Sequence, residues 1–190
     1  MLQTGIEPEL ARLLEPIVAW RTWTLGRSRL AERPLLLPIA GPGSPWVPRE
    51  PARASCRRRG VHGGVVPGAR CRCGLHATDE LEPLRRAREP TVLGRVALWG
   101  RVIEHEHGYR AEYGYPQRLR LICPLCFWRW GAAPPNPCAA VLVGRGGRVR
   151  ALCHPHRELA ERSGMGARRI LPAAAVEEAL LSAYAVDPLR

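Results

Sequence analysis

Two short pairs constrain this chain more than anything else in it: Cys123-Pro124-Leu125-Cys126, and Cys153 with His156 in Cys153-His154-Pro155-His156. Two thiols separated by two residues turn tightly enough to reach one tetrahedral ion at about 2.3 Å, and a second pair at the same spacing completes four ligands. Cys123, Cys126, Cys153 and His156 are therefore the candidate ligands of a structural zinc ion. Cys138 and His154 lie close enough in sequence to compete with them. A redox Cys-x-x-Cys pair is a rival reading, but it calls for a pair that opens a helix in a βαβ setting. Here Phe127-Trp128-Arg129-Trp130 reads as extended. Buried thiols that bind nothing are the remaining alternative.

The order of a thiol knuckle, a β-hairpin and two ligands at a helix start resembles the treble-clef class of zinc fingers, over about residues 120–164. The hairpin is expected over residues 139–143 and 149–152, with its turn at Gly144 to Gly147. The helix follows at 157–162 and stops at Gly164. A ligand at a helix start is physically sensible, because the positive end of the helix dipole favours thiolate over thiol. The proline-rich connection before the hairpin departs from the treble-clef pattern. A last helix over 173–185 places Val176, Leu180 and Tyr184 on one face.

Before these pairs the pattern is β-rich. Residues 17–25 alternate well enough for a strand, and a second strand over 30–37 would close a hairpin; Trp20 and Trp23 then point to opposite faces. One or two helical turns are expected over 7–15, and a short helix over 78–88 with Thr78 as N-cap. From Thr91 a β-branched run predicts a central strand whose glycines mark bulges or close backbone approach. Gly108 makes the turn, and residues 109–115 and 118–122 return, interrupted at Pro116. With 190 residues, 19 prolines and 19 glycines, the chain has room for one ordinary domain or two small ones. The expected architecture is α+β: a small β-rich domain at 1–122, built as a twisted sheet or partly open barrel, then a treble-clef-like zinc-binding element and terminal helix at 123–190.

Three weaker constellations remain. Cys56, His62, Cys71 and Cys73 are candidates for a second metal site, with His76 as a substitute ligand; a metal there would explain how a glycine-rich loop holds its shape. Glu104, His105, Glu106 and His107, with Tyr109, Arg110 and Glu112 nearby, invite a metal-dependent hydrolase or nuclease reading, against the plainer reading of a solvated strand end. Finally, Trp99, Trp128, Trp130, Tyr109, Tyr113 and Tyr115 interleave with Arg95, Arg101, Arg110, Arg118, Arg120 and Arg129, the composition of a stacking-plus-phosphate surface.

The net charge is +12, and all 29 basic residues are arginine. Such a chain attracts polyanions, although a GC-rich coding sequence also favours arginine, alanine, proline and glycine. Nucleic acid and a protein surface are the two partner classes left open; no small-molecule substrate is indicated. Neither a secretory leader nor an apolar run of about 20 residues is visible, so a cytoplasmic location without membrane association is expected. The segments Cys71-Arg72-Cys73-Gly74-Leu75-His76-Ala77, Gly94 through Glu112, and Tyr115-Pro116 resemble the motifs of a bacterial, chiefly actinobacterial, protein family. That resemblance spans about residues 17–122 and carries no activity with it. No catalytic residue is assigned, and a zinc-stabilised binding module is the leading expectation.

Overall fold

A computed structural model describes residues 15–27, 30–39, 43–56, 58, 63–129, 136–144, 147–164 and 167–190. The helical turns expected over 7–15 fall outside them except for Glu15, as do His62 and Trp130.

The β-branched run from Thr91 forms the longest strands. β5 (Val92–His105) and β6 (Gly108–Leu121) make a long antiparallel hairpin, and β1 (Ile17–Leu25) pairs antiparallel with the other edge of β5. β2 (Leu36–Pro38) lies beside β1, and β3 (Ala52–Arg53), β4 (Leu75–Ala77) and the C-terminal β10 (Asp187–Pro188) all pair with β6. The seven strands form an open sheet rather than a barrel. The α+β class holds, with β structure predominating among the described residues.

Glycines act where expected. Gly100 takes φ +73°, and Gly100 with Arg101 faces a single β6 residue between the Trp99↔Tyr113 and Val102↔Ala111 pairs, a bulge that needs a left-handed residue. A Cβ at Gly94 would collide with the carbonyl oxygen of Arg118, so β5 and β6 approach there as only glycine permits.

Two expectations need correction in this region. Pro116 does not interrupt the return strand: the register shifts opposite Arg95 and Val96, leaving Gln117 as the extra residue, and β6 continues past the missing donor. The expected helix over 78–88 shrinks to a 3-10 turn at Glu82–Arg86. Thr78 exchanges backbone bonds with Trp20 and its hydroxyl donates to the Glu80 carbonyl, so it bridges to β1 instead of capping a helix.

A smaller antiparallel sheet follows, in the order β8-β7-β9, from β7 (Cys138–Gly144), β8 (Val149–Cys153) and β9 (Ala167–Pro172). β7 and β8 are the expected hairpin; β9 was not anticipated. Three helices accompany it: α1 (Pro124–Arg129), α2 (His154–Arg162) and α3 (Ala173–Tyr184).

One face of the small sheet joins the large core. Val141, Val149 and Ala151 pack with Ala173, Val176, Leu180 and Tyr184 of α3 and with Trp23, Val92, Val96 and Leu98 of the large sheet. The terminal helix therefore buries the face that its 3.6-residue spacing marks. Its Tyr184 is fully buried; the hydroxyl accepts from the Leu36 amide at 3.0 Å and donates to the Trp46 carbonyl. Trp23 meets Trp46 edge to face at 5.3 Å. Trp20, on the opposite face of β1, packs toward Leu93, Ile122 and Phe127, as the odd spacing from Trp23 requires.

Candidate metal centre

The other face of the small sheet holds the cysteines. Its buried set is Cys123, Ala140, Leu142, Leu152, Cys153 and Ala160, all of modest size. Four elements position the candidate ligands. Cys123 follows β6, where the Ile122 amide donates to Thr91 and fixes the chain's exit. Cys126 sits in α1. Cys153 ends β8 as the N-cap of α2, and His156 lies in that helix's first turn.

The segment after the CPLC pair is helical, not extended as its aromatic content suggested. Pro124 suits the first helical position, where its missing N–H costs nothing, and the Phe127 amide closes the turn on the Cys123 carbonyl at 2.9 Å. Phe127 is fully buried against Leu93 and Ile122, and Trp128 donates its indole N–H to the Ala87 carbonyl. Tertiary anchoring by these two rings outweighs strand propensity. Cys123 and Cys126 thus open a helix, which is half of the redox criterion. The other half is missing, because the flanking strands β6 and β7 belong to different sheets.

The donor atoms converge. His156 Nδ1 stands 3.4 Å from Cys123 Sγ, 3.3 Å from Cys126 Sγ and 3.2 Å from Cys153 Sγ, while the Cys126 and Cys153 sulfurs are 3.5 Å apart. All four donors lie within 4.8 Å of one another. Donors on a tetrahedral ion with bonds of about 2.0 to 2.3 Å stand about 3.3 to 3.8 Å apart, so the contacts sit at or just inside ligand spacing. Hydrogen bonding alone does not account for the set. A ring nitrogen offers either one hydrogen or one lone pair, and here three sulfurs crowd it together.

The electrostatics of the cluster oppose a bare thiolate. Burial, then the hydrogen bond with Cys153 and the neighbouring thiols, pushes the Cys126 thiol up to about 12. Without a cation the Cys126 sulfur is held protonated; a divalent ion inverts that preference and deprotonates coordinating thiols. Cys123 and Cys153 are almost fully buried. Cys126 and His156 are half-buried, and a set of three sulfurs and one imidazole, four protein donors in all, suits a structural ion.

The two competitors stand aside. His154 is mostly exposed and pairs with Glu158 at 3.2 Å. Cys138 faces Cys153 across the hairpin but is outside the converging set, and burial, reinforced by Cys123 and Glu177, drives its thiol far above the usual range. It packs as a small apolar residue.

Elsewhere, Cys56, Cys71 and Cys73 also come together. His76 does not join them: its Nε2 lies 2.9 Å from the Arg72 carbonyl. Sequence reasoning missed the groups that shape this loop. Arg101 Nε donates to the Pro67 carbonyl at 3.0 Å, and Arg110 Nη1 to the carbonyls of Gly68, Cys71 and Cys73. These contacts span 34 to 42 residues, so no local pattern announces them.

Glu104, His105, Glu106 and His107 are all exposed around the β5–β6 turn. His107 and Glu106 approach to 3.9 Å, but the four side chains do not converge on a common centre. Arg110, expected beside them, instead holds the cysteine loop. Among the described residues no helix is long and apolar enough to cross a membrane.

The chain matches no protein-family model, and no curated protein or solved structure is detectably similar to it.

Proposed function

We propose that the protein is a zinc-stabilised, non-enzymatic binding module that contacts nucleic acid through arginine and aromatic side chains of its large sheet. In this reading Cys123, Cys126, Cys153 and His156 hold a structural zinc ion, and the order of thiol pair, hairpin β7–β8 and ligand-bearing helix α2 supports a treble-clef-like element. Zinc there supplies a fixed crosslink and no chemistry of turnover.

The observation that carries the partner class is a pair of cross-strand rows. Trp20, Arg95 and Arg118 stand in register across β1, β5 and β6, with the Arg95 guanidinium 4.6 Å from the Trp20 ring. Trp99, Tyr113 and Arg53 stand in register across β5, β6 and β3; the two rings stack at 6.1 Å and Arg53 lies over Tyr113. Directly paired strand residues share a face, so each row presents stacking rings and phosphate-seeking guanidinium groups together. Arg53 and Arg118 are exposed. The net charge of +12 adds a long-range pull on polyanions.

The test is binding of labelled single-stranded and duplex DNA across a salt series. Affinity should fall steeply with salt, and the double variant Arg95→Ala/Arg118→Ala should flatten the logarithmic slope by about 0.7 to 0.9 for each phosphate it no longer neutralises. Trp20→Ala should weaken single-strand binding by about 1 to 3 kcal/mol if a base stacks there. Absence of DNA binding at low salt, or binding unchanged in the double variant, would contradict the proposal. A protein-adaptor reading has its own support in Leu159 and Ile170, apolar yet 52% and 53% exposed; it predicts salt-tolerant binding to a protein partner that Leu159→Asp abolishes.

A further inference from the structure

The loop before β4 carries a second set of soft ligands. The sulfurs of Cys56, Cys71 and Cys73 all lie within 4.8 Å of one another. Cys56 Sγ and Cys71 Sγ are 3.7 Å apart, far beyond a disulfide bond of about 2.05 Å and close to the sulfur spacing of about 3.8 Å around one tetrahedral zinc. Two backbone amides point at this sulfur set: Arg58 N–H donates to Cys56 Sγ and Gly68 N–H to Cys73 Sγ, both at 3.3 Å. Amide donors favour thiolate over thiol and orient a ligating sulfur.

The surrounding charge also fits. Three thiolates on a divalent ion leave one net negative charge. Arg110 answers it, since its guanidinium grips the carbonyls of Cys71 and Cys73 themselves. Apolar packing does little here: Val65 is 49% exposed, and Cys71 and Cys73 are only half-buried. A segment with so little core of its own is the kind that a metal crosslink orders.

We propose that Cys56, Cys71 and Cys73 form a second metal site, three thiolates on one zinc-class ion, that fastens the loop through residues 63–73 onto the β5–β6 hairpin. Sulfur donors select thiophilic ions, and zinc is the borderline-soft divalent member of that group. Arg58, Arg70 and Arg72, all exposed, lie in sequence within two residues of these cysteines. The site is independent of the four-ligand centre and of the nucleic-acid reading.

Zinc itself is the probe. The full chain, purified reduced without chelator, should contain two zinc ions; Cys73→Ser should lose one and keep the other, and Cys123→Ser should do the same in reverse. Because the three-thiolate site has one protein ligand fewer, its zinc should pass to a chromophoric chelator faster than that of the four-ligand centre. A measurement on the unmutated chain guards against a variant that fails to fold: zinc should protect Cys56, Cys71 and Cys73 from alkylation, read peptide by peptide, and chelator should remove that protection. The proposal is overturned if Cys73→Ser retains the full zinc content, or if alkylation of the three cysteines is the same with and without zinc. Failure of the four-ligand centre would look different, as zinc content unchanged by Cys123→Ser.

Discussion

The two faces of the small sheet are held by different means. The inner face meets α3 and the large sheet over Trp23, Trp46, Leu180 and Tyr184, a core of large side chains in direct contact. The outer face has Ala140, Leu142, Leu152 and Ala160, and two of its six buried residues are the candidate ligands Cys123 and Cys153. Leucine and aromatic burial contributes about 1.5 to 3 kcal/mol per side chain, so the inner face holds by area alone, whereas the outer face has little area to offer. The difference teaches which face of a small sheet gains most from a crosslink: the one whose buried side chains lack bulk. It follows that metal removal should act on one side of the small sheet and leave the other standing.

That contrast sharpens on the inner face with Tyr184→Phe. The ring stays, but the Leu36 amide and the Trp46 carbonyl lose their buried partner, which costs about 1 to 3 kcal/mol. Urea unfolding should show this loss with zinc content unchanged. A loss of zinc in this variant would mean that the two faces are not separable.

A smaller effect lies at the seam between the sheets. Glu89 accepts from Arg150 of β8 at 2.7 Å, with Arg148 at 3.8 Å. The Arg150 hydrogen bond, opposed in part by burial, holds the Glu89 carboxyl below its ordinary value. A depressed carboxylate stabilises the fold above the unfolded-state pKa of about 4.3, and that contribution disappears as pH falls through the folded value. Glu89→Gln should therefore lower stability slightly near neutrality and flatten the acid limb of the stability curve below about pH 5. Parallel curves for the two proteins would remove this pair from the account.

Much of this arrangement was legible in the sequence where the signal is local. The strand at 17–25, the β5 run, the β7–β8 hairpin and the apolar stripe of α3 follow from two- and 3.6-residue periodicity. The four residues whose donor atoms converge, Cys123, Cys126, Cys153 and His156, were readable as a candidate set because ligand spacing is itself a short-range geometric constraint. What could not be read depends on distant partners. Thr78 looked like a helix cap because Trp20, 58 residues away, could not be known to claim its backbone. Phe127 and Trp128 looked like strand residues because the pocket of Leu93 and Ile122 and the Ala87 carbonyl that anchor them are likewise remote. Arg101 and Arg110 gave no sign of gripping a loop. β9 is a six-residue strand with two arginines in it, and only its pairing with β7 defines it.

The most direct test of the four-ligand centre is elemental analysis of the chain with and without Cys123→Ser, combined with hydrogen exchange of the unmutated protein in zinc and in chelator. The account predicts that Cys123→Ser contains one zinc fewer, and that chelator exposes the amides of α1, α2 and β8 while those of β5, β6 and α3 stay protected. Zinc content unchanged by Cys123→Ser, or exchange in α1 and α2 indifferent to chelator, would contradict it.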